Sequence, residues 1–201
     1  MTTSQDLYIV TLDVPSSRPV EQGDLSLALA GAELVDLIEA QALTLDGDLI
    51  VPGPQWTMAD RLLNDAVSAL TRQTPYESVE DWLWRRGRDL SSAYLAVLEA
   101  DGVVTRQRRH RLPFGAGNTA LADTPARRRA TERWSSGDPV LAGFAAALRI
   151  PDQPGEDAGD FDNEAIETVL AAVNGAVTEL EAVRQRRNIE QAAFDNIWRG
   201  Q

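Results

Sequence analysis

Apolar residues recur every three or four positions along most of this chain, and this spacing limits its fold more than any other feature. The longest run predicts a helix that starts near Asn163 and buries one face. That face consists of Ile166, Val169, Leu170, Val173, Val177, Leu180 and Val183. A second run predicts a helix from Leu25 to about Gln41, with Asp24 as its N-cap.

Shorter helices fill much of the remaining sequence. They are expected over 57–72, from Ser78 to Gly87, from Leu90 to Asp101, over 122–134 and over 138–149. Ser78 and Asp81 have the spacing of a capping box, which favours a helix start at Ser78. Trp82 is expected to face the core of the protein. Trp84 is expected to lie at a different angle, with packing as the simplest explanation.

Strand signals are few and short. Asp46-Gly47 between two apolar runs predicts a tight hairpin. A second hairpin is expected within 103–114, with its turn near 107–109 and a loop over 115–118. Residues 7–13 suggest a short strand or a buried first turn. Residues 1–201 are therefore expected to form a single, mainly α domain, a helical bundle with two small β-hairpins, the second exposed and Arg-rich.

The composition excludes several kinds of chemistry. The 201 residues include no Cys and one His, so disulfides, thiolate sites and multi-histidine metal sites are excluded. The acidic run over 152–164 lacks the ligand spacing of a calcium loop. No serine has a G-x-S-x-G context, and His110 lies between two arginines. We expect no metal, no cofactor and no enzymatic activity.

Nothing in the sequence suggests a membrane-spanning segment. No apolar run approaches the length of about 20 residues that a spanning helix needs. The first ten residues lack the basic and apolar regions of a signal peptide. The expected location is the cytoplasm, with any membrane contact peripheral and at the inner face.

Charge is distributed unevenly along the chain. The net charge is −12, and all 19 basic residues are Arg. Residues 85–133 nevertheless carry 11 Arg and 5 acidic residues, a net +6, whereas the rest carries −18. An acidic protein with one basic segment can bind anions through that segment alone.

The arginines of the basic segment form three clusters. Their members are Arg85, Arg86 and Arg88, then Arg106, Arg108, Arg109 and Arg111, then Arg127, Arg128, Arg129 and Arg133. Such arginines often do no more than balance surface carboxylates. The second cluster, however, contains no acidic residue, and the planar guanidinium binds phosphate in a bidentate manner. Lipid headgroups and nucleic acids are both compatible ligands.

The order of three segments resembles the Golgi phosphoprotein 3 family, in particular its shorter bacterial, actinobacterial-type members. The segments are LSLALAGAELVDLIEAQALTLDGDLIV, DWLWRRGRDL and YLAVLEADGVVTRQRRHRLPF, and the similarity covers roughly residues 7–187. It implies a mostly helical fold with an exposed hairpin. It also implies peripheral membrane binding, which in eukaryotic members uses phosphatidylinositol 4-phosphate.

The headgroup pocket of those members is formed by one Trp and three Arg. The resemblance places one pocket arginine at Arg88, whereas Ala30 and Ser91 occupy two other arginine positions and the Trp position falls near Glu21. Arg85 and Arg86 lie close enough in sequence to contribute. By position, Arg106, Arg108, Arg109 and Arg111 correspond to the membrane-facing, self-associating hairpin.

We therefore expect a non-enzymatic protein that binds an anionic phospholipid surface through a phosphatidylinositol 4-phosphate-like headgroup site. Arg85, Arg86 and Arg88 would bind the headgroup, and the hairpin arginines would face the membrane. A winged-helix-like nucleic-acid binder is an alternative, although the net charge argues against it. A third is an oligomeric adaptor without lipid binding, whose second hairpin pairs with the 152–164 loop of another copy.

Overall fold

Helices dominate the residues that the structure describes, and two short antiparallel hairpins complete them. A computed structural model describes residues 2–15, 18–54, 57–107, 118–151 and 163–199, without the side chains of 106, 107, 118, 119 and 192–199. The helices are α1 (Thr3–Asp13), α2 (Gln22–Glu39), α3 (Arg61–Ala69), α4 (Val79–Arg86), α5 (Leu90–Ala100), α6 (Pro125–Ser135), α7 (Pro139–Ala147) and α8 (Glu164–Arg199). The strands are β1 (Leu43–Asp46), β2 (Leu49–Pro52), β3 (Val104–Gln107) and β4 (Asn118–Leu121). The expected mainly helical fold with two small hairpins is confirmed.

Side-chain caps explain where several helices begin. The Ser78 hydroxyl accepts the Asp81 N–H at 3.1 Å, as the sequence predicted for α4. Asp60 caps α3 through the Leu63 N–H at 2.9 Å, so this helix starts four residues later than position 57. The start of α2 is earlier than predicted, because Glu21 is its N-cap and Asp24 lies in its first turn.

The two hairpins differ in how well local sequence predicted them. In the first, Asp46 pairs with Leu49 across a turn in which Gly47 has a φ of +61°, which confirms the prediction. In the second, β3 pairs with β4 and Gln107 lies opposite Asn118. The pairing expected within 103–114 was therefore wrong, because the strand opposite β3 begins at Asn118, which was expected in a loop. The predicted turn near 107–109 and the strand expected after it fall largely on residues that are not described. Residues 108–117 lie outside the described part of the chain.

Helix α2 occupies the centre of the fold and packs against α1, α5 and α8. Every residue from Leu25 to Leu37 is buried, so this helix has no solvent-facing side over that length. Its small residues permit close packing: a Cβ at Gly31 would lie 2.4 Å from Cγ2 of Val173 on α8. Such an approach is possible only without a side chain, and it joins the two longest apolar runs in one core.

The N-terminal segment corrects another prediction. Residues 7–13 belong to helix α1 and not to a strand. Leu7, Ile9 and Val10 are buried between α2, α6 and α7, so the helix is covered on more than one face. A continuous apolar run does not distinguish a buried helix from a buried strand, and tertiary packing decides between them here.

Among the described residues, no helix combines the length and hydropathy needed to cross a bilayer.

Candidate functional site

The C-terminal end of α4 presents the first arginine cluster, and two contacts hold this end against α2. The buried Trp82 indole Nε1 donates a hydrogen bond to the Ala30 carbonyl at 3.1 Å. A Cβ at Gly87 would lie 2.6 Å from the Leu83 carbonyl oxygen and 3.3 Å from that of Ser26. Glycine is therefore required where α4 ends against α2. This packing fixes the directions in which the neighbouring arginines leave the helix.

Arg86 points into the protein. Its Nε and Nη2 donate to the two carboxylate oxygens of Glu33 at 2.8 and 2.9 Å, and Nη2 also donates to the Leu62 carbonyl at 3.2 Å. The Glu33 side chain is fully buried, and the Tyr94 hydroxyl donates to it at 3.2 Å. Burial raises the pKa of Glu33, and the Arg86 guanidinium opposes that rise. Arg86 is thus the counter-ion of a buried carboxylate.

A second buried carboxylate lies one turn along α2. Asp36 accepts the backbone N–H groups of Thr3 and Ser4 at 2.6 and 3.1 Å, together with the Ser4 hydroxyl at 2.9 Å. It therefore caps the first turn of α1 from a different helix. Burial raises the pKa of Asp36 to about 6, although the hydrogen bonds from α1 oppose the rise. Glu33 and Asp36 both bind groups of the protein itself. We therefore assign these two buried carboxylates to the stability of the fold.

Arg85 lies at the surface but is engaged by other groups. Its Nε and Nη2 each donate to Glu77 at 2.6 Å, and Nη2 donates to the Ala69 carbonyl at 3.1 Å. The guanidinium also stacks 5.1 Å from the centre of the Trp82 ring. A headgroup would have to compete with a bidentate carboxylate for this arginine.

Arg88 is exposed and, unlike Arg85 and Arg86, has no ion-pair partner among the described residues. It lines a groove of about 330 Å³ between the start of α2 and the junction of α4 with α5. Trp84 and Leu180 form apolar parts of the wall, and Asp89 contributes the only acidic side chain among the described lining residues. Among the described arginines of this cluster, Arg88 is therefore the one that a ligand in the groove could bind without displacing a carboxylate partner.

Two serines lie deep in the same groove. Ser26 and Ser91 are each 4% exposed, and the Ser91 N–H donates to the Ser26 hydroxyl oxygen at 3.0 Å. The Ser91 hydroxyl has no hydrogen-bond partner among the described residues, and the Ser26 hydroxyl donates to none of them. The first turns of α2 and α5 also border the groove, and neither N-cap residue makes a side-chain capping bond. These groups are hydrogen-bond donors and positive helix ends, which suit an anion.

The structure also corrects the positions that the family resemblance assigned. Ala30 is fully buried and its carbonyl accepts from Trp82, so an arginine there would enter the core and not the groove. Ser91 does line the groove. Trp84 and Ser26 were missed by the sequence analysis. Trp84 precedes Arg88 by four residues, and that spacing could have indicated a shared side, whereas no local signal identifies Ser26.

Among the described residues, no arginine of the other two clusters lines this groove. Arg106 lies on β3 opposite Thr119, while Arg108, Arg109 and Arg111 lie outside the described residues. The third cluster is engaged in ion pairs on and around α6. These pairs are Arg127 with Asp13, Arg128 with Asp123, and Arg133 with Asp6 and Asp138. Arg129 also has an interaction.

Comparison with known proteins identifies a family. The family model described as Golgi phosphoprotein 3 (GPP34) matches residues 4–192, which is most of the chain and includes every residue of the groove. No curated protein matches the chain significantly.

Proposed function

Because the chain belongs to the Golgi phosphoprotein 3 family, we propose that it is a non-enzymatic peripheral membrane protein that binds anionic phospholipid headgroups. The family includes phosphatidylinositol 4-phosphate-binding proteins, and its model spans the groove beside Arg88. The observation that carries the proposal is that groove, where an exposed arginine without an ion-pair partner among the described residues meets the first turns of two helices.

The surroundings of the other arginines narrow the proposal to Arg88. Arg86 neutralises a fully buried carboxylate and Arg85 is held by Glu77, so neither guanidinium is available without breaking an ion pair. Arg88 has no ion pair to break within the described part of the chain. A phosphate oxygen in the groove would gain a charge-assisted hydrogen bond from it.

The hairpin arginines would add attraction without specificity. Each basic residue near an anionic leaflet contributes about 1 kcal/mol, screened by salt. Arg106, Arg108, Arg109 and Arg111 belong to the segment of net +6, and the remainder of the chain carries −18. Repulsion of the acidic remainder would orient the protein, with Arg88 and the hairpin arginines towards the inner face of a cytoplasmic membrane.

Vesicle co-sedimentation tests the proposal with two variants of equal charge. Arg88→Ala removes the groove arginine, and Arg128→Ala removes an arginine that is 63% exposed and paired with an exposed aspartate. We expect wild-type protein and Arg128→Ala to bind anionic vesicles at low salt, and Arg88→Ala to bind at least fivefold more weakly. Equal losses of vesicle binding in the two variants would mean that overall charge, and not the groove, attracts the protein to the membrane. No binding at any salt concentration would refute the proposal, and binding to DNA alone would favour the winged-helix alternative.

A further inference from the structure

The side chains of the groove carry little net charge. Arg88 is balanced by Asp89, which precedes α5 with a φ of +55° and lines the same groove. The remaining positive potential comes from the first turns of α2 and α5, each equivalent to about half an elementary charge. One anionic phosphate oxygen matches this potential. A phosphomonoester, with about −1.5 to −2 charges at neutral pH, exceeds it.

Hydroxyl donors take the place of further arginines. Ser91 is 4% exposed and lines the groove, and its hydroxyl has no hydrogen-bond partner among the described residues. Ser26 uses its oxygen to accept the Ser91 N–H and keeps its proton for another acceptor. A ligand with several oxygen acceptors would satisfy both donors.

Trp84 supplies the third element of recognition. Its half-buried side chain lines the groove beside Arg88. An aromatic wall next to hydroxyl donors suits a polyol, whose C–H groups can pack on the ring while its hydroxyls form hydrogen bonds. With a volume of about 330 Å³, the groove falls within the range of small-ligand sites.

From this combination we infer that the groove takes a singly charged phosphodiester joined to a polyol, the headgroup chemistry of phosphatidylinositol and phosphatidylglycerol, and selects against an added phosphomonoester. The inference rests on the proposed function and narrows its ligand. Arg88 and the helix ends bind the diester oxygens, Ser26 and Ser91 donate to phosphate or polyol oxygens, and Asp89 repels a second phosphate. Ser91 occupies a position where the family resemblance expects an arginine.

The test compares vesicles of equal surface charge in a neutral phosphatidylcholine background. The four anionic components are phosphatidylinositol, phosphatidylglycerol, phosphatidylinositol 4-phosphate and phosphatidic acid, the last two carrying a monoester. We expect stronger co-sedimentation with the first two. Stronger binding to the monoester lipids would overturn the inference and leave the proposed function intact. Absence of binding to all four would instead overturn the proposed function.

Serine variants locate the selectivity in the groove. Ser91→Ala should weaken binding to phosphatidylinositol vesicles by about 2- to 10-fold, the value of one hydrogen bond. Ser68→Ala is the matched control, because Ser68 is exposed on α3 and its hydroxyl donates to the Asn64 carbonyl. Ser91→Arg should shift the preference towards phosphatidylinositol 4-phosphate. An unchanged preference in folded Ser91→Ala and Ser91→Arg proteins would contradict the role assigned to Ser91.

A soluble competitor distinguishes a lipid headgroup from a free phosphodiester. Glycerophosphoinositol carries the same diester and polyol without acyl chains. We expect it to displace the protein from phosphatidylinositol vesicles only at concentrations far above that of the lipid, because the membrane adds the attraction of the remaining basic residues. Inorganic phosphate should displace it less effectively. Equal potency of the soluble diester and the vesicle lipid would overturn the assignment to a lipid headgroup.

Discussion

Arg86 and Arg88 are separated by one glycine, yet they lie in opposite surroundings. Arg86 is 17% exposed and pairs with a carboxylate buried in the central helix, whereas Arg88 is exposed and unpaired among the described residues. The end of α4 at Gly87 divides them between the core and the groove. A run of basic residues is therefore not a functional unit, and each guanidinium must be assigned by its partner. We therefore predict that Arg86 maintains the fold and that Arg88 binds a ligand.

The largest expected effect follows from removing the buried counter-ion. Arg86→Gln leaves Glu33 without its cation, and breaking a buried ion pair costs about 3–5 kcal/mol of unfolding free energy. Arg88→Gln should change that free energy by no more than about 0.5 kcal/mol, because among the described residues it breaks no ion pair. Urea unfolding followed by circular dichroism measures both. Equal stabilities would refute the distinction between the two arginines.

The double variant Glu33→Gln/Arg86→Gln sharpens the same comparison. It removes both charges, so the penalty of an uncompensated buried carboxylate disappears. We expect the double variant to be more stable than Arg86→Gln alone. Additive losses would mean that the two side chains contribute independently, in disagreement with their bidentate geometry.

The next effect concerns Asp36, the second buried carboxylate of α2. Its pKa is raised to about 6 in the folded protein from an ordinary value of 3.8. The folded state therefore holds this proton more tightly than the unfolded state, and the stabilisation is complete below the unfolded pKa and lost as the pH rises through about 6. The unfolding free energy of the wild type, minus that of Asp36→Asn, should fall by up to about 3 kcal/mol between about pH 4 and pH 8. A difference that is constant or rises with pH would contradict this.

A smaller effect is expected at Arg85, whose exposure and contacts are intermediate between those of Arg86 and Arg88. This side chain is 44% exposed, pairs with Glu77 and stacks on Trp82. Exposed pairs and cation–π contacts are weak, so Arg85→Ala should cost less than about 1 kcal/mol in the same urea experiment. The loss should shrink in high salt, because the ion pair is screened. A loss of unfolding free energy as large as that of Arg86→Gln would show that the difference in exposure between Arg85 and Arg86 does not determine their contributions to stability.

The features predicted from sequence were those decided by adjacent residues. The Ser78 cap, the Asp46-Gly47 turn and the interruption at Gly87 depend on local hydrogen bonds and backbone preferences. Helix α1 was missed because its apolar run is compatible with either regular structure until its neighbours are known. The second strand of the other hairpin was missed because Asn118, which pairs with Gln107, lies eleven residues further along the chain.

The candidate site could be predicted only in part. Arg88 was among the expected residues because the family resemblance and the local charge both indicated it. The distinction between Arg86 and Arg88 depends on Glu33, which lies 53 residues away in sequence. Ser26 and Ser91 are 65 residues apart and meet only when α2 packs against α5. Long-range packing therefore determines which polar groups remain free to bind a ligand.

Hydrogen–deuterium exchange on vesicles tests most directly whether the groove beside Arg88 meets the membrane. With phosphatidylinositol vesicles, exchange should slow in the first turns of α2 and α5, around residues 22–27 and 88–92, and remain unchanged in α6 and α7. The protection should disappear in Arg88→Ala. Vesicle-bound protein that is protected only in α6 and α7, or protected equally in Arg88→Ala, would contradict the assignment of the groove as the headgroup site.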